Sequence, residues 1–244
     1  MRKNLIILTS GLSGSSVLTG LMARAGYWTG DATFKKQEYD TFENRELIDL
    51  NLRLFREAGY KGNYLLEFSP EAVENVAALS GKIDATDFQV FVANCDRHRP
   101  WVWKDPRLWL TIRFWKNVLD TGSCSFIVLT RGLRQSWLSS ILRRQITTYR
   151  YSKAYETRIQ ESAIAFLDGA KLPYLHITYE ALIMRPAETI ERLNTHLSTS
   201  LNVEDLKAVY HKPLYKNPKV SLFRQVKAML IYLKNYSERL DIAG

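Results

Sequence analysis

Ser13-Gly14-Ser15-Ser16 lies between a run of large aliphatics, Leu5-Ile6-Ile7-Leu8, and apolar residues at helical spacing, Val17, Leu18, Leu21, Met22 and Ala25. The chemistry that this arrangement offers is anion binding. In a strand–turn–helix unit the loop N–H groups and the unpaired first turn of the helix converge on one point, where partial positive charge favours a phosphate or sulfate. The hydroxyls of Ser15 and Ser16 add donors, and Gly26 supplies the helix stop. Two more places concentrate charge. In Trp101-Val102-Trp103-Lys104-Asp105-Pro106-Arg107 a short strand of bulky residues ends at a proline-enforced turn, so Lys104, Asp105 and Arg107 stand at its exit. Arg131 follows Phe126-Ile127-Val128-Leu129, whose continuous apolar character suits a buried parallel strand.

Helices and further strands must hold these groups. The spacing of Leu47, Leu50, Leu54 and Phe55 predicts a helix over 42–58 that stops at Gly59. Ser69-Pro70-Glu71 reads as a cap, a first-position proline and a first-turn acid, opening a helix that closes near Gly81. Further helices are expected over 86–95, 108–119, 133–146 and 155–167, and a short strand over 174–177. A helix from Tyr179 is interrupted at Arg185-Pro186 and restarted through Leu197. Residues 27–39 show no sustained period and read as an irregular loop near the mouth of the site. From Val203 the chain turns basic and helical, closing in an amphipathic helix over 220–233. Its cations, with Lys207, His211, Lys212, Lys216 and Lys219 before it, read as a solvated face rather than a membrane or nucleic-acid patch. Without repeats or linkers, 1–244 is expected to form one domain.

Composition narrows the partners. Lys and Arg outnumber Asp and Glu by nine, 34 against 25, so the surface field attracts anions. No aromatic–basic module or helix-turn-helix signature points to nucleic acid. Cys95 and Cys124 have no metal-ligand or disulfide-framework spacing, which makes a reducing, cytoplasmic setting the default and implies no metal. The apolar run that follows Met1-Arg2-Lys3 breaks at Ser10-Gly11, so it reads as a first strand in a soluble protein with no transmembrane segment. The loop itself excludes two nucleotide readings. Ser15 follows Gly14 where G-x-x-x-x-G-K-[ST] requires lysine, and Gly11-x-x-Gly14 lacks the order of a dinucleotide fingerprint.

Four segments together resemble the sulfotransferases that use 3′-phosphoadenosine 5′-phosphosulfate, in particular the bacterial and glycan-type branch. The Ser13-Gly14-Ser15-Ser16 loop is similar to the family's 5′-phosphosulfate loop and Trp103-Lys104-Asp105-Pro106-Arg107 to its K-D-P-R segment. Phe126 to Ser139 resembles its 3′-phosphate motif, and Tyr179-Glu180-Ala181-Leu182-Ile183-Met184-Arg185-Pro186 its Y-E-[DA]-L-x-x-x-P segment. The resemblance implies a P-loop-like α/β three-layer sandwich with a central, mainly parallel sheet flanked by helices. It implies that Ser13, Gly14, Ser15, Ser16, Arg131 and Ser139 bind the nucleotide. The implied reaction moves a sulfonyl group to a hydroxyl of a small-molecule, glycan or lipid acceptor, leaving adenosine 3′,5′-bisphosphate. Leu12 departs from the pattern, which places Lys or Arg just before Ser-Gly; Lys104 is the expected substitute cation, with Arg24 and Lys35 behind it. No histidine follows Lys104 to act as base, so Asp105 is the nearest acid, with Glu67 and His98 as alternatives. A divergent P-loop phosphotransferase, or a non-catalytic nucleotide- or glycan-binding protein on the same scaffold, are the competing readings. Residues 28–39, 67–70 and 147–155 are expected to shape the acceptor pocket, while oligomeric state is open.

Overall fold

The structure, a computed structural model, describes residues 2–36, 39–210 and 222–241. The first aliphatic run forms β1 (Asn4–Leu8), every residue of it buried. Helix α1 (Ser15–Arg24) begins one turn later, at Gly14 in the left-handed conformation with φ 81°. A hairpin follows, β2 (Thr33–Lys35) antiparallel to β3 (Asp40–Asn44), where the sequence reads as loop. Its strands are short and polar, and the Asp40 carboxylate holds the Thr33 hydroxyl and the Phe42 N–H, so no apolar alternation announces it.

Helix starts are set by caps. Asn44 accepts the Glu46 and Leu47 N–H groups, which starts α2 (Arg45–Glu57) three residues later than the apolar spacing suggests. Ser69 caps α3 (Pro70–Ala77), and α4 (Thr86–Asp96) leads to β4 (Val102–Lys104) and α5 (Leu108–Trp115). After β5 (Cys124–Thr130) come α6 (Leu133–Leu142) and α7 (Tyr149–Gly169). The Thr148 hydroxyl accepts the Tyr151 N–H and opens α7 six residues before the expected start. Strand β6 (Tyr174–Thr178), α8 (Tyr179–Met184), α9 (Pro186–Leu197) and α10 (Val203–Val209) complete the domain body, and α11 (Leu222–Lys234) packs on α6. Of the expected basic closing segment, His211, Lys212, Lys216, Lys219 and the first residues of the helix lie outside the described residues.

The sheet runs β4-β1-β5-β6, every neighbour parallel, with Ile7 paired to Lys104 on one side and Ile127 on the other. Its two faces are buried separately, as parallel strands require. Ile6, Leu8, Trp103, Phe126 and Val128 pack against α2 to α5 and α7; Leu5, Ile7, Ile127 and Leu129 pack against α1 and α8 to α10. This is the three-layer α/β sandwich, and all four strands carry their carboxyl ends to one edge. Among the described residues no helix is long and apolar enough to cross a membrane.

Candidate functional site

The anion loop spans that edge and is braced from below. The Thr9 hydroxyl donates to the Leu129 carbonyl at 2.8 Å and touches the Ser13 hydroxyl, so the buried Ser13 side chain points inward and offers the loop only its backbone. Helix α1 has no capping side chain, unlike α2, α3, α7 and α10, which leaves the Ser15 and Ser16 end as an electropositive terminus. A Cβ on Gly14 would lie 2.3 Å from the Tyr179 ring, so both φ and space demand glycine there. Gly14→Ala is expected to weaken adenosine 3′,5′-bisphosphate binding at least tenfold by displacing the loop; titration calorimetry beside a melting curve measures it.

Arg131 closes one side of the loop. Its guanidinium donates to the Leu12 carbonyl at 2.8 Å and lies 5.1 Å above the Tyr179 ring, while its buried Nε has no partner among the described residues. Burial lowers its pKa, and Arg224 of α11 is near enough to press it in the same direction. Arg224 makes no ion pair among the described residues. A buried guanidinium beside the loop, with a donor that finds no partner among the described residues, is a natural seat for an anion. Sequence reading passed over Arg224 because it sits in a basic helix with no motif. Ser139, eight residues after Arg131, is half-buried on α6 with no side-chain hydrogen bond among the described residues. The Tyr179-Glu180 corner works from behind: Tyr179 fills the space below Gly14 and Arg131, and Glu180 accepts the Gly132 N–H at 3.0 Å.

At the end of β4 the charges are locked together. Lys104 is buried and donates to Glu43 of β3 at 2.7 Å, beside Ile7 in the sheet register. Asp105, expected as the nearest acid or equally as a salt-bridge partner for Arg107 or Lys104, makes the ion pair with Arg107. It is fully buried and accepts from the Arg107 guanidinium at 2.9 Å, the Arg107 N–H at 2.8 Å and the Asn51 amide at 3.1 Å. Burial pushes its carboxyl upward and these donors oppose it. Arg107 is in turn held by the Tyr64 hydroxyl at 2.7 Å and stacks over that ring at 4.4 Å. A carboxylate so enclosed is a structural counter-ion, with no open lone pair for an acceptor proton. The alternative His98 stacks on Trp28 at the opposite, amino-terminal edge of the sheet, and Arg24 pairs with Asp205.

A different carboxylate faces the loop. Glu156 of α7 accepts the Ser10 hydroxyl at 2.5 Å and the Ser136 hydroxyl at 2.6 Å, and burial pushes its pKa up. It lines a pocket with Gly11, Leu12, Leu65, Leu66, Tyr151 and Tyr155, where the buried Thr147 hydroxyl has no partner among the described residues. Of the stretches expected to shape an acceptor pocket, 147–155 contributes to the lining of this cavity, whereas Trp28 lies at the far edge. Glu156 carries no motif in sequence. Its one signal is that it ends a run of 35 residues, 121–155, without a carboxylate.

The arrangement is thus an uncapped helix terminus behind a glycine turn, the Arg131 guanidinium on one flank and a pocket lined in part by Glu156 on the other. The sequence matches no family model and no curated relative. Its fold is similar to the sulfotransferase domain of the Synechococcus PCC 7002 olefin synthase, with a TM-score of 0.55 at 18% identity over 95% of this chain and 96% of that one. A weaker likeness, TM-score 0.49 at 11% identity, is to sulfotransferase STF9 from Mycobacterium avium, over 97% of this chain and 76% of that one. The chain has the sulfotransferase fold.

Proposed function

We propose that this chain transfers a sulfonyl group from 3′-phosphoadenosine 5′-phosphosulfate to an acceptor hydroxyl. The observation that carries the reading is the convergence of the uncapped α1 terminus, glycine-shaped by Tyr179, with Arg131 and its unsatisfied Nε. The loop N–H groups with the Ser15 and Ser16 hydroxyls suit the 5′-phosphosulfate, and Arg131, Arg224 and Ser139 suit the 3′-phosphate. The nucleotide supplies the activated sulfonyl group. Glu156 accepts the acceptor proton as the new O–S bond forms, and the S–O bond to the 5′-phosphate breaks to release adenosine 3′,5′-bisphosphate. Lys104 balances charge near the departing oxygen, tempered by its pairing to Glu43.

Titration calorimetry with adenosine 3′,5′-bisphosphate, against ATP plus magnesium, tests the donor assignment. Tight binding of the first supports it, and binding of only the second would falsify it. Leu12 gives a further prediction. It adopts φ 65°, a left-handed conformation strained for leucine, and lines the pocket beside Glu156. Leu12→Lys adds a cation at the loop and is expected to raise kcat about tenfold with little change in nucleotide affinity. Radiolabel transfer to a panel of hydroxyl acceptors reads the result.

A further inference from the structure

Helix α11 is apolar on two sides. One side packs on α6 through Ala228, Ile231 and Tyr232, with Gln225 accepting from Arg134 at 2.9 Å. The other turns Leu222, Phe223, Val226, Met229, Leu230 and Leu233 to solvent, with Leu222 and Phe223 76% and 75% exposed. At 3.6 residues per turn these six fall within one arc of roughly 120°. Lys227 and Lys234 border that arc, both exposed and unpaired among the described residues. The surroundings are strongly one-signed. From 206 to 237 the sequence has no Asp or Glu, nor has it any from 131 to 155, the stretch that includes all of α6 with Arg134, Arg143 and Arg144. The next carboxylates, Glu238 and Asp241, follow the end of the helix, and Asp241 is engaged by Thr148.

We propose that α11 lies in the surface of an anionic lipid bilayer, its six apolar side chains among the acyl chains and its lysines at the headgroups. Charge selects this occupant. A second copy packed on the same face would set Lys227 and Lys234 against cations, because neither α11 nor α6 carries an acid to receive them. An anionic membrane satisfies both halves of the face together, burying the apolar arc while the lysine stems reach back to phosphate. Tyr236, with Arg239 stacked on its ring at 3.8 Å, extends the amphipathic surface beyond the helix end. This surface stands apart from the transfer chemistry, so its test does not depend on that reading.

The experiment is co-sedimentation of the intact protein with vesicles of phosphatidylcholine plus phosphatidylserine, against phosphatidylcholine alone. Binding to the anionic vesicles only, weakening as salt rises, is the expected result. Lys227→Glu with Lys234→Glu should weaken it about 25-fold or more, at about fivefold per lysine. Phe223→Glu with Leu230→Glu should abolish it without lowering the melting temperature, since both side chains are exposed. Three results overturn the proposal: sedimentation with neither vesicle, undiminished sedimentation of the Phe223→Glu, Leu230→Glu protein, or a wild-type dimer that this pair of changes makes monomeric in light scattering.

Discussion

Glu156→Gln is expected to lower kcat by roughly 10²–10⁴-fold, the range for removing a positioned general base, while nucleotide affinity stays within a few-fold. The amide keeps the shape and can still hydrogen-bond with the Ser10 and Ser136 hydroxyls, but it cannot take a proton. Two pH effects separate this role from a structural one. The group acts as base only when ionised, and burial raises its pKa above the ordinary 4.5. The acid limb of kcat/KM in the wild type is therefore expected above that value and is lost in the variant. Stability runs the opposite way. A carboxyl whose folded pKa is raised stabilises the native state in its protonated form. That contribution is complete below the unfolded value and is lost as pH rises through the folded one. Glu156→Gln, permanently neutral, should therefore melt at or above the wild-type temperature at neutral pH and beside it in acid. A melting temperature that falls together with activity would make Glu156 a packing residue.

Asp105→Asn should show the reverse pattern. Removing the charge strands the Arg107 guanidinium in a buried site whose other supports are only the Tyr64 ring and hydroxyl. Breaking a buried pair from one side costs about 3–5 kcal/mol, which in a domain of this size lowers the melting temperature by roughly 10 °C. Activity per folded molecule, measured well below that transition, should stay within a few-fold of wild type. An unshifted melting curve with a collapsed kcat would return Asp105 to the chemistry. A double change, Asp105→Asn with Arg107→Met, should recover part of the lost stability because it removes both buried charges.

The contrast between these carboxylates shows what the chain discloses before it folds. Local grammar was readable where one element decides it: the aliphatics of β1 and β5, the Ser69-Pro70 cap, and the restart at Pro186. Those elements give an α/β class; the sulfotransferase fold was implied by the resemblance of four segments, and the fold comparison agrees with it. The β2–β3 hairpin escaped because its strands are polar and held by Asp40, and the starts of α2 and α7 moved because Asn44 and Thr148 override apolar spacing. At the site, the Gly14 turn and the place of Arg131 at a strand exit were visible. The pairing of Asp105 with Arg107 was open as one of two readings, but its burial was not legible, since adjacency to Lys104 says nothing about burial and its partners include Asn51, 54 positions earlier. Glu156 reaches Ser10 beside the loop only through the packing of α7, a contact that no local pattern encodes.

The place of β1 between β4 and β5 carries a consequence for how the molecule is made. Its partners follow about 100 and about 120 residues later, so during synthesis the first strand emerges long before anything can pair with it. At about 5–20 residues per second, Leu5-Ile6-Ile7-Leu8 waits several seconds off the ribosome as a bare aliphatic segment. Such pairing across long separations is slow to nucleate and exposes the nascent strand to aggregation. The anion loop is thus translated well before the strands that hold it in place.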